Sequence, residues 1–344
     1  MAIRAALIGC GKIGQRHLQA LVHQNAIDLV ATVDTSQERA EAAAVAFDAD
    51  AFTEMDVMLD KANIDAAIIA TPSGLHRDLA FQVIGRGKHV IVEKPLALTY
   101  RDAKAIVDLA KERNVFAVVT QFNRMLPTVE QLLQAHQDGR LGRIVNGGVA
   151  VRWSRPQSYY DEAPWRGTFA MDGGVLFNQA IHAIDVLLQL MGPVAEVFAY
   201  TATLTHQIEA EDSVAGTLRF QSGALATVAA TTCVPKTNLE ERLTVVGENG
   251  VVVIGPTVNQ VDTWRVGDDD EDEVRQALLD LPSRPSWQSH QDALKDFADA
   301  IEEGRRPRLD AASALAGIAV IEGLMQSGRE GRVVTMSEIT GESV

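Results

Sequence analysis

The sequence predicts an α/β protein in two parts. The first is a doubly wound parallel sheet, and the second an α+β part with a large open, mostly antiparallel sheet. Two patterns predict this. Up to Thr120, short apolar runs rich in β-branched residues alternate with helical patterns, the rhythm of βαβ units. After Pro127, strand-like runs follow one another with turn residues between them, the rhythm of hairpins. A length of 344 residues with 47% apolar composition favours two cores over one. The expected parts are residues 1–122 and 123–344, with the final helices free to pack back on the first.

The first run, Ile3–Ile8, ends in a glycine-rich turn, Gly9-Cys10-Gly11-Lys12-Ile13-Gly14, and a helical pattern follows through His17, Leu18 and Leu21. Leu29–Val33 is the second strand, closed by Asp34. Strand, G-x-G-x-x-G, helix, strand and acid in this spacing make a Rossmann dinucleotide site. Gly9 allows the tight turn, Gly11 lets backbone approach a pyrophosphate, and Gly14 lets helix and strand pack closely. Lys12 and Ile13 open the helix whose N-terminus faces the phosphates. Asp34 accepts hydrogen bonds from the adenosine ribose. A carboxylate repels a 2′-phosphate, and Thr35 and Ser36 supply no arginine to bind one, so NAD is expected over NADP.

Alternation continues with strand Ala66–Ala70, a helix from about His76 to Gly85, strand His89–Val92, helix Tyr100–Arg113 and strand Val115–Thr120. Ligands of such sheets bind at the carboxyl ends of the strands. Thr71, Ser73, Glu93, Lys94 and Gln121 stand there, with His76 just beyond, and all are taken as cofactor residues. Pro95 holds Lys94 extended where a nicotinamide should lie. An ammonium there suits a developing alkoxide or a polarised carbonyl.

The second part starts with a helix over 127–139. Strands are expected at Ile144–Trp153, Val194–Thr203, Ser213–Phe220, Ala224–Thr232, Arg242–Val246 and Val251–Ile254, and helices at 290–303 and 311–327. The acidic run 268–273 reads as a solvated loop. An open sheet of this size needs a cover, and a second subunit would supply one, as a homodimer or homotetramer.

The stretch 176–191, LFNQAIHAIDVLLQLM, is apolar except for Asn178, His182, Asp185 and Gln189, which fall on one helical face. Lys and Glu are missing from that face, so a buried helix with one polar edge on a pocket is expected. Asn178 and His182 would face substrate, Asp185 would hold the imidazole, and Gln189 would make a structural hydrogen bond. Aromatics are only 5% of the chain, yet Trp153, Tyr159, Tyr160 and Trp165 cluster, and five arginines against two acids give residues 140–166 a local +3. Aromatic faces suit a sugar ring and arginines an anionic group. An interface loop pinned by aromatics is the competing reading.

The net charge of −15 opposes nucleic-acid binding. The apolar runs look too short for a membrane span, and no leader pattern opens the chain, so a cytoplasmic protein is expected. Cys10 and Cys233 make no disulfide framework, and no metal site is expected.

With GCGKIGQRH at 9–17, ATPSGLH at 70–76, EKP at 93–95 and GG-x₃-N-x₃-H-x₂-D over 173–185, the chain resembles the Gfo/Idh/MocA oxidoreductases along essentially its whole length. The resemblance implies tightly held NAD or NADP, Lys94 and His182 as catalytic residues, and often oligomers. Many members carry Asp where this chain has Asn178, which can orient a hydroxyl but cannot ionise. The stretch 165–185 is similar to the UDP-N-acetylglucosamine-uronate 3-dehydrogenase branch. The expected function is therefore NAD-dependent oxidation of a secondary hydroxyl on a sugar, an anionic one by the arginines, with C3 the best guess. Asn178, Arg166, Trp165, Tyr160 and Arg124 are taken as substrate residues. An inositol or other cyclitol dehydrogenase, a non-catalytic NAD- and sugar-binding regulator, and an NAD-dependent glycosidase remain alternatives.

Overall fold

Six strands form the first sheet: β1 (Ile3–Ile8), β2 (Ile27–Val33), β3 (Asp50–Phe52), β4 (Ala66–Ile69), β5 (His89–Val92) and β6 (Ala117–Val119). Their order is β3-β2-β1-β4-β5-β6 and every pair is parallel, so this is the doubly wound Rossmann sheet. The strands are apolar because both faces are covered: Ala5–Ile8 and all of β4 are buried. The computed structural model describes residues 2–342. Met1, Ser343 and Val344, which the boundaries 1 and 344 take in, lie outside the described residues.

The chain forms two compact units. The first holds the residues up to Ala97, Arg101–Phe122 and also Arg284–Leu315. Within it, helix Gln288–Glu303 packs on helix Lys12–Val22 and on β2. Val119 N–H then donates to the Leu309 carbonyl at 3.0 Å, beyond β6. Strand β3 was not expected. At three residues, with Asp50 exposed, it carries no legible alternation.

The second unit, chiefly Asn123–Ser283 and Ala316 onward, is built on β7 (Ile144–Arg152), β8 (Val194–Ala202), β9 (Ser213–Phe220), β10 (Leu225–Thr231), β11 (Glu240–Gly247), β12 (Gly250–Ile254), β13 (Val261–Val266) and β14 (Val334–Thr335). Their order is β13-β12-β11-β7-β10-β9-β8-β14. Only the β7–β10 pair is parallel, so the sheet is mostly antiparallel. Helix Ile181–Met191 covers one face. Gly147 makes room for it, because a Cβ there would stand 2.5 Å from Met191 Sδ. On the opposite face Leu225 and Tyr200 are exposed.

Two expectations change here. The acidic run is not all loop. Asp270 caps helix Glu271–Leu279, its carboxylate accepting from the Asp272 and Glu273 amides, and acids in a first turn favour a helix. Among the described residues one helical stretch, Ala311–Glu330, is long and apolar enough to cross a membrane, against the expectation that none is. Over half of it is buried within the protein, as a core helix would be.

Candidate active site

The glycine turn is shaped for a dinucleotide. A Cβ on Gly14 would sit 2.2 Å from the Gly9 carbonyl oxygen, so only glycine lets the helix start this close to β1. A Cβ on Gly11 would meet nothing within 4 Å, which leaves open space for phosphates at the helix N-terminus. Lys12 and Ile13 are exposed beside it. Gln121 is 2% exposed and its Oε1 lacks a hydrogen-bond partner among the described residues, an acceptor suited to a carboxamide N–H₂. Thr71 and Ser73 are half-buried at the turn after β4. These residues fit NAD.

Asp34 stands where the ribose should be. Its carboxylate accepts from Cys10 N–H at 3.0 Å and Ser36 N–H at 2.9 Å. Arg39 also reaches it, with Nη2 at 2.6 Å and Nε at 3.0 Å. Burial pushes the carboxyl up, but these hydrogen bonds outweigh it and hold Asp34 below the ordinary aspartate value. Thr35 and Ser36, next to Asp34 in the chain, offer no guanidinium. An arginine is present after all, one helical turn further on.

Two residues expected at the cofactor have their side-chain polar atoms engaged by protein groups. Glu93 is buried, with Oε1 2.8 Å from His17 Nε2 and Oε2 accepting from Thr120 Oγ1 at 2.8 Å. Burial raises its carboxyl, yet the hydrogen bond from His17 and the nearby His290 imidazole hold it well below the ordinary glutamate value. His76 is buried with Nδ1 2.7 Å from the Pro95 carbonyl and Nε2 3.0 Å from that of Thr71. It braces the two turns that carry Thr71 and Lys94. Strand-end position was legible for both residues, but side-chain direction was not.

In the second unit the 172–191 stretch opens with five π-helical residues, Leu176–Ala180, before the α-helix. Asn178 lies in this wider turn and His182 one turn on, both half-buried. Asn178 Nδ2 donates to Asp172 Oδ1 at 2.5 Å, and Asp172 Oδ2 accepts from Gly167 N–H at 2.7 Å. Asp172, 3% exposed, was missed in the sequence. The only signal was its place directly before Gly173-Gly174. Asp185 does not hold the imidazole as expected. Its Oδ2 accepts from Arg124 Nε at 2.6 Å and its Oδ1 from Arg124 Nη2. Burial raises the Asp185 carboxyl despite that partner. Arg124, expected at substrate, is thus a buried fork–fork partner. Gln189 is exposed rather than structurally buried.

Glu211 was also missed. It is 5% exposed, and its Oε1 accepts from Leu176 N–H at 3.2 Å. Its carboxyl fills the space beside Gly174, where a Cβ would lie 2.1 Å away. Burial pushes its pKa up to about 7, the neighbouring Asp172 and Asp212 adding to the rise.

The aromatic cluster is real but sorts differently. Arg166 stacks over Tyr159 at 4.2 Å and over Trp165 at 4.8 Å; its Nη2 lies 3.5 Å from Glu162 Oε2, and its Nε is buried without a hydrogen-bond partner among the described residues. Arg155 lies over Trp153 at 5.0 Å. Tyr160 is a buried pillar, its hydroxyl 2.9 Å from Thr232 Oγ1. Three arginines of the +3 segment are paired with distant acids: Arg140 with Asp269, Arg143 with Glu248 and Arg152 with Glu240. The local charge is therefore largely cancelled, leaving Arg155 and Arg166 on the aromatic faces.

Comparison with known proteins agrees with this geometry. Residues 3–121 match the oxidoreductase family with an NAD-binding Rossmann fold, and residues 129–253 match the GFO/IDH/MocA C-terminal domain. A solved structure of the WlbA dehydrogenase from Bordetella pertussis, in complex with NADH and UDP-GlcNAcA, is 36% identical, with TM-score 0.89 over 97% of this chain and 99% of that one. Its counterpart from Chromobacterium violaceum is 34% identical, with TM-score 0.90 over 97% and 96%. Inositol 2-dehydrogenase of Rhizobium meliloti is 26% identical over 98% of this chain and 100% of its own. The chain belongs to the Gfo/Idh/MocA oxidoreductases and is an NAD-dependent dehydrogenase of that family.

Proposed function

We propose that the protein oxidises a secondary hydroxyl of an anionic sugar, with a UDP-linked N-acetylglucosaminuronate the best candidate and C3 the carbon. The observation that carries this reading is the Asp172–Asn178 pair one turn before His182. It gives a neutral, rigidly oriented amide where many relatives place a carboxylate, and so leaves proton removal to His182. The likeness to two dehydrogenases solved in complex with UDP-GlcNAcA supports the substrate class.

NAD supplies the two-electron acceptor when bound. His182 takes the hydroxyl proton, work that suits an imidazole. Lys94 donates a hydrogen bond to the same oxygen and stabilises charge as it develops. Asn178 orients the hydroxyl, and Arg166 with Trp165 meets the anionic group and the sugar face. NAD is preferred to NADP because Asp34 is ionised. The same reading makes the open face of β7–β10 a contact between copies in a homo-oligomer.

The decisive variant is Lys94→Ala. Turnover of UDP-N-acetylglucosaminuronate should fall by roughly 10²–10⁴-fold, while NAD still raises the melting temperature. Near-wild-type turnover would sink the assignment of Lys94. A panel with myo-inositol decides the substrate class: turnover of the cyclitol but not of the nucleotide sugar would overturn it.

A further inference from the structure

A buried cluster in the first unit lies directly behind Lys94. Thr120, fully buried after β6, bridges two groups through its hydroxyl. It donates to Glu93 Oε2 at 2.8 Å and accepts from Lys94 N–H at 3.1 Å. Lys94 N–H also lies 3.3 Å from Glu93 Oε2. The other carboxylate oxygen, Oε1, faces His17 Nε2 at 2.8 Å. His17 projects from the helix that begins at the glycine turn and is 1% exposed. His290 closes the cluster from helix Gln288–Glu303, its Nε2 3.6 Å from Oε1 and its ring 4.1 Å from that of Phe122.

An ionised carboxylate this deep is costly unless it is well hydrogen-bonded, and here it is bonded to His17 and Thr120, from two different elements, and to the adjoining Lys94 amide. One anion thus ties the strand end that carries Lys94 to the helix that caps the pyrophosphate turn. The lysine backbone is held by a buried hydroxyl and a buried carboxylate whose hydrogen-bond partners are protein groups.

We propose that Glu93, Thr120 and His17 are positioning residues for Lys94. They fix the backbone from which the ammonium reaches the reacting oxygen. This rests on the reading of Lys94 as the group that binds that oxygen. Displacement of a reacting group by about 1 Å can cost on the order of 10²-fold in rate, so loss of the bridge should appear in kcat.

The test uses the full-length protein and three variants, Thr120→Val, Thr120→Ser and Glu93→Gln. Two measurements are made: hydrogen–deuterium exchange at the Lys94 amide, and steady-state kinetics with NAD and UDP-N-acetylglucosaminuronate. Thr120→Val should speed exchange at Lys94 and lower kcat about tenfold or more. KM for the sugar and Kd for NAD should stay within about twofold. Thr120→Ser, which keeps the hydroxyl, should restore both. Glu93→Gln should resemble Thr120→Val.

Equal impairment by Val and Ser, or faster melting with unchanged kcat, would overturn the proposal. So would stoichiometric metal in the purified protein that His290→Ala removes, since Glu93 would then be a ligand. The exchange measurement needs no substrate. If the wild type turns over no sugar, the functional reading fails, while unchanged exchange at Lys94 in Thr120→Val still overturns the bridge by itself.

Discussion

On the proposed reading, Asp34 and Arg39 select the coenzyme between them. The carboxylate is held ionised by Arg39, Ser36 and Cys10, and the guanidinium is spent on that carboxylate. Removing the anion both ends the repulsion of a 2′-phosphate and releases the arginine to meet one. Asp34→Ala should therefore shift the ratio of kcat/KM for NADP over NAD upward by about tenfold or more, each 1.4 kcal/mol being a factor of ten. An unchanged ratio would exclude the pair as the selector. Asn178 poses the second question at this scale. Its donated hydrogen bond fixes the amide nitrogen on Asp172 and turns the oxygen to the opposite side. In Asn178→Asp two carboxylates would share that contact. Stability should drop by roughly 1–3 kcal/mol at pH 8 and less at pH 5, where one acid keeps a proton. Melting temperature against pH reads this directly. Residue types were legible in the sequence; their partners were not. Glu93 and His76 sit at the predicted strand ends, but nothing in a linear pattern says that a side chain turns inward to His17 or to a carbonyl.

At the scale of elements, long periodic runs were readable and short ones were not. Strands β7 to β12 were read within two residues at each end, because alternating burial leaves a period of two. Strands β13 and β14 went unread: the first follows an irregular turn, and the second has two residues. The π-turn Leu176–Ala180 is invisible to a search for helical period, yet it sets where Asn178 points. Glu211 braces its first amides, and this gives the turn a pH dependence. Burial raises the Glu211 carboxyl from an ordinary 4.5 to about 7. The folded chain then holds a proton that the unfolded chain releases, so stability falls as pH rises from about 4.5 to about 7. Glu211→Gln mimics the protonated form and cannot lose it. Its melting temperature relative to wild type should climb between pH 5 and 7.5 and then level off. A difference that stays flat across that window would mean Glu211 is ionised in the folded protein.

At the scale of the whole molecule, the second sheet has helices on one face and solvent on the other. The bare face carries small residues at its centre, with Gly148, Ala150 and Ala229 around a shallow groove of about 280 Å³. Leu225, on β10, and Tyr200, on β8, are 55% and 70% exposed. An open sheet face with small residues at its centre, edged by Arg152 and Arg242, is one that another copy can approach closely, and a two-fold arrangement would bury the same patch on both. Thr227 sits exposed within this patch and lines the groove. In Thr227→Arg a long cation would enter a contact that has no room or partner for it, and each such residue would face its own copy across the axis. The variant should therefore elute with a smaller mass by light scattering than the wild type, with NAD-dependent stabilisation retained because that site lies in the first unit. A wild-type mass equal to one chain would dismiss the interface outright. An assembled mass that survives Thr227→Arg would move the contact away from this face of the sheet.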